Sequence, residues 1–172
     1  IRSLVLHSDA DVIALNKPPG IAVQGGRKIK RHIDGLLGAL AEPGEERPKL
    51  VHRLDRDTSG VLLIARRADV AASLGEAFHS RNAQKTYWAL VAGVPRPREG
   101  MINAPLTKKA DGAGHEKVVV DAEDGKSAQT DYQVVENAAR KAGMALCEQC
   151  GSSREVCAIP IERILSIERM DL

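Results

Sequence analysis

The sequence predicts an α+β fold with a largely antiparallel or mixed sheet. Three observations carry that prediction. Short apolar runs of strand length recur along the chain, several of them closed by Gly, Pro, Asn, Asp or Ser. Only two or three segments have helical periodicity. Strands and helices do not alternate regularly, as a parallel βαβ sheet would require.

The elements follow in order. Leu4–Leu6 is a short apolar run, and Ser8-Asp9-Ala10-Asp11 makes a turn. Val12–Leu15 reads as a strand. Asn16-Lys17-Pro18-Pro19-Gly20 must break it, because two prolines remove two backbone donors. Ile21–Val23 resumes extended structure until Gly25-Gly26. Ile33, Leu36, Leu37 and Leu40 have helical spacing, and Glu42–Lys49 is a loop. Leu50 and Val51 end a strand, and Val61–Ala65 reads as a second, fully buried one. Asp69 begins a helix whose Val70, Leu74, Ala77 and Phe78 form one apolar face. His79 falls near its end, where a cation suits the dipole.

Gln84–Val91 is rich in strand formers, with Lys85, Tyr87 and Ala89 on one face and Thr86, Trp88 and Leu90 on the other. Gly93, Pro95 and Pro97 form a turn. Ile102–Leu106 and Val118–Val120 are predicted strands around a polar loop, Lys108–Glu116, and Thr130–Val135 is a further strand.

Composition narrows the class. A chain of 172 residues suits one domain that buries about 70% of its unfolded surface. With 25 basic and 23 acidic residues the net charge is +2, so any attraction to nucleic acid must be local. Phe78, Tyr87, Trp88 and Tyr132 are the only aromatics, which makes the core aliphatic. No apolar run reaches membrane-spanning length and no signal-peptide pattern is present, so no membrane association is expected. The chain opens without methionine, as a fragment or a processed form would. An odd count of three cysteines, Cys147, Cys150 and Cys157, suits a reducing, cytoplasmic compartment.

The densest chemistry lies in Lys49–Arg67, KLVHRLDRDTSGVLLIARR. His52, Arg53, Asp55, Arg56 and Asp57 crowd into a turn between two apolar runs. Asp55 sits between two arginines, and a nearby guanidinium favours an ionised carboxylate. Such a carboxylate, partly shielded from water, can act as a nucleophile. Alternatively, Arg53, Asp55 and Asp57 form an ion-pair network that orders the loop, and the residue types alone favour the network. His52 beside Asp55 also suggests a hydrolase, but Ser59 does not stand in a nucleophile elbow.

Arg27–His32 is the densest basic run, read as a solvated loop or as a phosphate-contacting edge. Cys147-x-x-Cys150 has zinc-knuckle spacing without a second ligand pair, so no metal site is assigned. No phosphate-binding glycine motif supports a nucleotide cofactor.

His52–Gly60, HRLDRDTSG, resembles the HRLDxxTSG signature of the RluA-type pseudouridine synthases. Companion stretches resemble the same family in the same order. Leu15–Gly20 looks like its NKPxG turn. His32-Ile33-Asp34 looks like the subgroup acting on large-subunit ribosomal RNA. Lys85–Val91 resembles KxYxAxV, and Gly125-x-x-Ala128-x-Thr130-x-Tyr132 resembles a later strand.

The resemblance implies a pseudouridine-synthase-like α+β fold with a few flanking helices and a central RNA-binding cleft. It implies isomerisation of uridine to pseudouridine in RNA, most readily 23S ribosomal RNA, by a monomer without cofactor. Asp55 matches the nucleophile, attacking ribose C1′ or uracil C6. Tyr87 matches the tyrosine that packs on the target base. Arg53 matches the signature arginine, which contacts the RNA backbone or braces the loop. The catalytic domain is expected over residues 1–146, with an atypical tail over 147–172. The family normally continues with TGRTHQIRxH, whose arginine pairs with the aspartate. Here the chain reads CEQCGSSREVCAIPIERILSIERMDL instead. A catalytically impaired RNA-binding remnant is therefore the alternative.

Overall fold

The computed structural model describes residues 1–26, 29–80, 83–92, 95–110, 116–139 and 142–150. The chain divides into two compact units, Ile1–His79 and Ser80–Leu172.

In the first unit the chain runs through β1 (Val5–Ser8), β2 (Val12–Lys17), α1 (Ile33–Leu36) with a 3₁₀ turn at Leu37–Leu40, β3 (Lys49–Leu50), β4 (Gly60–Ala65) and α2 (Ala68–His79). The four strands form one antiparallel sheet in the order β1-β2-β4-β3. Asp9 fixes the first turn, because its Oδ1 accepts from the backbone N–H groups of Asp11 and Val12 at 2.8 Å each.

The register sets the core. Ile13 pairs with Ile64, Leu15 with Leu62 and Lys17 with Gly60, so these residues share one face. Ile13, Leu15, Leu62 and Ile64 are buried, joined by Val23, Ile33, Leu37 and Leu40. The strand expected to stop before Asn16 continues to Lys17, and the break falls at the prolines. β4 is not buried on both faces as expected: Val61 is 56% exposed. Period-2 alternation explains this, since Val61 pairs with Asn16 on the face opposite Leu62.

The His32-Ile33-Asp34 stretch has a structural role. His32 Nδ1 accepts from the Gly35 N–H at 3.0 Å and caps α1. Ile33 is fully buried, and Asp34 pairs with Arg47 at 2.7 Å. In α2, Val70, Leu74 and Phe78 are half-buried while Ala77 is exposed.

The second unit contains β5 (Lys85–Ala92), β6 (Glu99–Asn103), β7 (Leu106–Ala110), β8 (Glu116–Val120), β9 (Gln129–Ala139) and β10 (Ala142–Cys150). A four-stranded antiparallel sheet has the order β5-β10-β9-β6, and β7 pairs with β8 as a hairpin. The single strand expected over Ile102–Leu106 is two strands, split at Ala104-Pro105. There Leu106 and Lys126 exchange backbone bonds at 2.9 and 2.8 Å.

Gly125, the first residue of the later motif, sits against this crossing. A Cβ there would lie 2.2 Å from the Asp121 carbonyl oxygen and 2.6 Å from the Pro105 carbonyl carbon, so only glycine fits. Strand β10 was not expected. It lies between β5 and β9 and pairs with both along most of its length.

Two outcomes test this description. Leu62→Ala should cost about 2–5 kcal/mol in urea unfolding, whereas Val61→Ala should stay within about 0.5 kcal/mol. Asp121 accepts from Lys109 at 2.6 Å and from the Asp124 and Glu123 N–H groups, which hold its carboxyl at about 2 against an ordinary 3.8. A depressed carboxylate stabilises fully above its unfolded value and loses that effect as pH falls through its folded value. The Tm gap between wild type and Asp121→Asn should therefore be constant above about pH 5 and close as pH approaches about 2.

Candidate active site

The loop between β3 and β4 carries His52, Arg53, Asp55, Arg56 and Asp57. It is held at several points. Leu54 turns inward and is buried, while its neighbours Arg53 and Asp55 are exposed. The Thr58 N–H donates to the Asp55 carbonyl at 3.2 Å and closes a turn over Asp55–Thr58. The Arg56 carbonyl accepts from the Gly20 N–H at 2.9 Å, and Arg56 Nε donates to the Gly20 carbonyl at 3.2 Å. The NKPPG turn and the HRLD loop are thus bonded to each other.

Upstream of Asp55, His52 Nε2 accepts from the Leu63 N–H at 2.8 Å. That nitrogen carries no proton, so the ring is neutral with its proton on Nδ1. The same ring stacks on Phe78 of α2 with centroids 4.4 Å apart. His52 therefore ties the loop to β4 and α2.

Downstream, Gly60 opens β4 with φ +135°. A Cβ at Gly60 would meet nothing within 4 Å, so its requirement for glycine comes from the backbone alone.

Beneath the turn lies the Lys17 side chain, 0% exposed. Its Nζ donates to the carbonyls of Pro18 at 3.0 Å, Arg56 at 3.0 Å and Thr58 at 2.6 Å. An ammonium has three protons, and all three are used. Burial pushes the Lys17 pKa below the ordinary lysine value, and the charges of Asp57 and then Asp55 oppose that shift.

Asp55 itself is exposed, and its carboxylate has no hydrogen-bond or ion-pair partner among the described residues. The expected network of Arg53, Asp55 and Asp57 is not formed. Arg56 approaches Asp57 at 3.9 Å, whereas Arg53 is exposed and unpaired among the described residues. The loop is ordered by backbone carbonyls around Lys17 and by His52.

Tyr87 lies in the second unit, half-buried on β5 with Lys85 and Ala89 on its face. Its register partner is Cys147, which pairs in turn with Tyr132. Tyr132 donates to the Pro97 carbonyl at 3.0 Å, and its ring lies over Gly100, where a Cβ would stand 3.3 Å away.

Of the basic run, Lys30 and Arg31 are exposed, while Arg27 and Lys28 lie outside the described residues. Cys147 and Cys150 fall in β10, and Cys157 lies outside the described residues. Among the described residues no group of three metal-ligating side chains is present. Among them, too, no helix is long and apolar enough to cross a membrane.

The loop is held by its backbone, by Lys17 and by His52, and it presents the exposed side chains of Arg53 and Asp55. A family model described as RNA pseudouridylate synthase matches residues 11–162, and the chain belongs to that family. It is 38% identical over 136 residues to the ribosomal large subunit pseudouridine synthase C of Escherichia coli, covering 79% of this chain and 42% of that one. It is 40% identical over 113 residues to the mitochondrial pseudouridylate synthase RPUSD4 of Xenopus tropicalis, covering 63% of this chain and 35% of that one.

Among solved structures, the human RNA pseudouridylate synthase domain containing 4 superposes with a TM-score of 0.71 at 28% identity. That match covers 86% of this chain and 60% of that one. The chain thus spans less than two thirds of the length of these relatives. The subgroup expected from the sequence agrees with the large-subunit relatives, and the α+β fold agrees with the structural neighbour.

The sequence did not single out Lys17 or the pairing of His52 with Phe78. The adjacency of lysine to two prolines was a usable signal for the first. Gly60→Ala should cost about 1–3 kcal/mol through backbone strain alone, measured by denaturant unfolding.

Proposed function

We propose that the chain isomerises uridine to pseudouridine in RNA, with large-subunit ribosomal RNA as its substrate class. The observation that carries this reading is the exposed carboxylate of Asp55, without a hydrogen-bond or ion-pair partner among the described residues, on a loop whose backbone is anchored on both sides. Family membership supports the reaction class, and the relatives named for the large ribosomal subunit support the substrate.

In this reading Asp55 is the nucleophile. Its carboxylate bonds to ribose C1′ or to uracil C6. The C1′–N1 bond then breaks, the uracil rotates, a C1′–C5 bond forms, and the bond to the Asp55 carboxylate breaks to restore the free carboxylate. The proton on C5 leaves and N1 gains one. No external oxidant or cofactor enters that balance.

Tyr87 packs on the target base. The base must leave its helix, which costs a few kcal/mol, and stacking on an aromatic ring returns about 1–3 kcal/mol. Arg53 contacts the RNA backbone, a role favoured by its exposure and lack of a partner among the described residues.

The catalytic domain is taken as residues 1–146, the stretch that holds every matched motif, with 147–172 as a tail. We place the protein in the cytoplasm as a monomer.

A second reading is an RNA-binding remnant. The observation favouring it is that Asp55 has no guanidinium partner among the described residues, where the family resemblance implies one. One assay separates the two: tritium release from ribosomal RNA labelled at uridine C5. The enzyme reading expects release by wild type and a fall of about 10⁴-fold or more in Asp55→Asn. Tyr87→Ala should weaken productive RNA binding by about 5- to 150-fold, the equivalent of one lost stack. Salt-sensitive RNA binding with background release from wild type would establish the remnant instead.

A further inference from the structure

The loop that presents Asp55 must meet a polyanion if RNA is its substrate. Asp55 and Asp57 are both exposed, and each repels a phosphate. Two exposed cations offset them: Arg53, and Arg56 directly after Asp55. Arg53 belongs to the matched signature. Arg56 stands at the first of the two open positions of HRLDxxTSG, so the resemblance gives it no role.

Its setting differs from that of other arginines in the first unit. Arg47 is tied to Asp34 at 2.7 Å, Arg66 to Glu45 at 3.1 Å, and Arg67 to Asp11 at 2.7 Å and Asp69 at 3.2 Å. Neighbouring carboxylates neutralise those guanidinium groups. Among the described residues, Arg56 comes no nearer to a carboxylate than 3.9 Å from Asp57, and it does so through Nε. That Nε already donates to the Gly20 carbonyl at 3.2 Å. The Arg56 side chain is 71% exposed.

A guanidinium is a rigid plane with five N–H donors. A bond at Nε braces that plane and leaves four donors on the Nη1 and Nη2 edge. No hydrogen-bond partner among the described residues meets that edge. Two parallel N–H groups match two oxygens of one phosphate. Because the Gly20 carbonyl holds the plane beforehand, less rotamer freedom is lost when a phosphate arrives.

We propose that Arg56 is a phosphate-binding residue: its braced guanidinium grips, through both terminal nitrogens, a backbone phosphate next to the target uridine. This rests on the reading of RNA as substrate. Arg56 directly follows the residue that bonds to that nucleotide, which sets the phosphate's place. A phosphate contact carries no sequence information. The effect of Arg56 falls on RNA affinity and leaves the chemical step alone.

Two variants test this on the same labelled ribosomal RNA. In Arg56→Gln the Kd should weaken about tenfold, the scale of one charge-assisted hydrogen bond. The slope of log Kd against log salt should become shallower by about 0.7–0.9, the equivalent of one phosphate. Arg56→Lys keeps the charge without the fork, so its salt slope should match wild type while its Kd weakens about threefold. In both, single-turnover tritium release with saturating enzyme should stay within about twofold of wild type. Amide exchange at Gly20, whose N–H bonds to the Arg56 backbone, should not change.

A wild-type Kd and salt slope in Arg56→Gln overturn the proposal. An equal loss of slope in Arg56→Lys overturns it, because charge is then not the cause. A loss confined to the single-turnover rate overturns it, and so does quicker exchange at Gly20 alongside the lost affinity, which would make Arg56 a brace for the turn. Failure of both variants to fold overturns it for the same reason. Absence of salt-dependent RNA binding by wild type ends the RNA reading and this proposal with it. Salt-dependent binding by wild type that Arg56→Gln leaves unaltered ends this proposal alone.

Discussion

The structure of the first unit depends on where one ammonium sits. Lys17 closes β2, and register with Gly60 turns its side chain into the core. A bare ammonium cannot rest in an aliphatic interior. The chain answers by bringing three carbonyls to it, and those carbonyls belong to the proline turn and to the loop after β3. Two segments distant in sequence are thereby joined at one point. The Gly20–Arg56 backbone bond repeats the join from the other direction.

The rest of the loop follows from that anchor. Leu54 enters the core and His52 lies between β4 and Phe78, which leaves Asp55 and Arg53 on the outside. The side chains that hold the loop are therefore different from those it presents. Such a division suits a site whose reactive group must be rigid before its substrate arrives, since preorganised geometry removes the entropy of ordering at the moment of reaction. The second unit shows a related economy on its own sheet. Gly125 lets two backbone segments cross, and Tyr132 lies close against Gly100. Residues that look like signature positions are there in part because the backbone needs the space.

Much of the fold was legible. Period-2 runs located most strands, and helical spacing located α1 and α2 within a few residues. The boundaries moved where long-range pairing outweighed local pattern: β2 ran on to Lys17, and Pro105 cut one expected strand into two. The whole of β10 was missed because its sequence, AGMALCEQC, has only a brief apolar stretch and mixed polarity. Its place between two partner strands comes from pairing on both edges, which local composition does not encode. Asp55, Arg53 and Tyr87 were singled out through contiguous motifs, each within its own unit. The ion-pair network expected among the loop charges was not formed, because the charges face solvent, where such pairs contribute little.

The sequence by itself determined the alternation that builds the sheets, the turn chemistry around the prolines and glycines, and the family to which the chain belongs. Only the tertiary structure decided what holds the Asp55 loop. A buried lysine has no local signature, since lysine is ordinarily a surface residue. Its partners are backbone carbonyls, which almost every residue can supply. Only folding could reveal which three of them meet at Lys17.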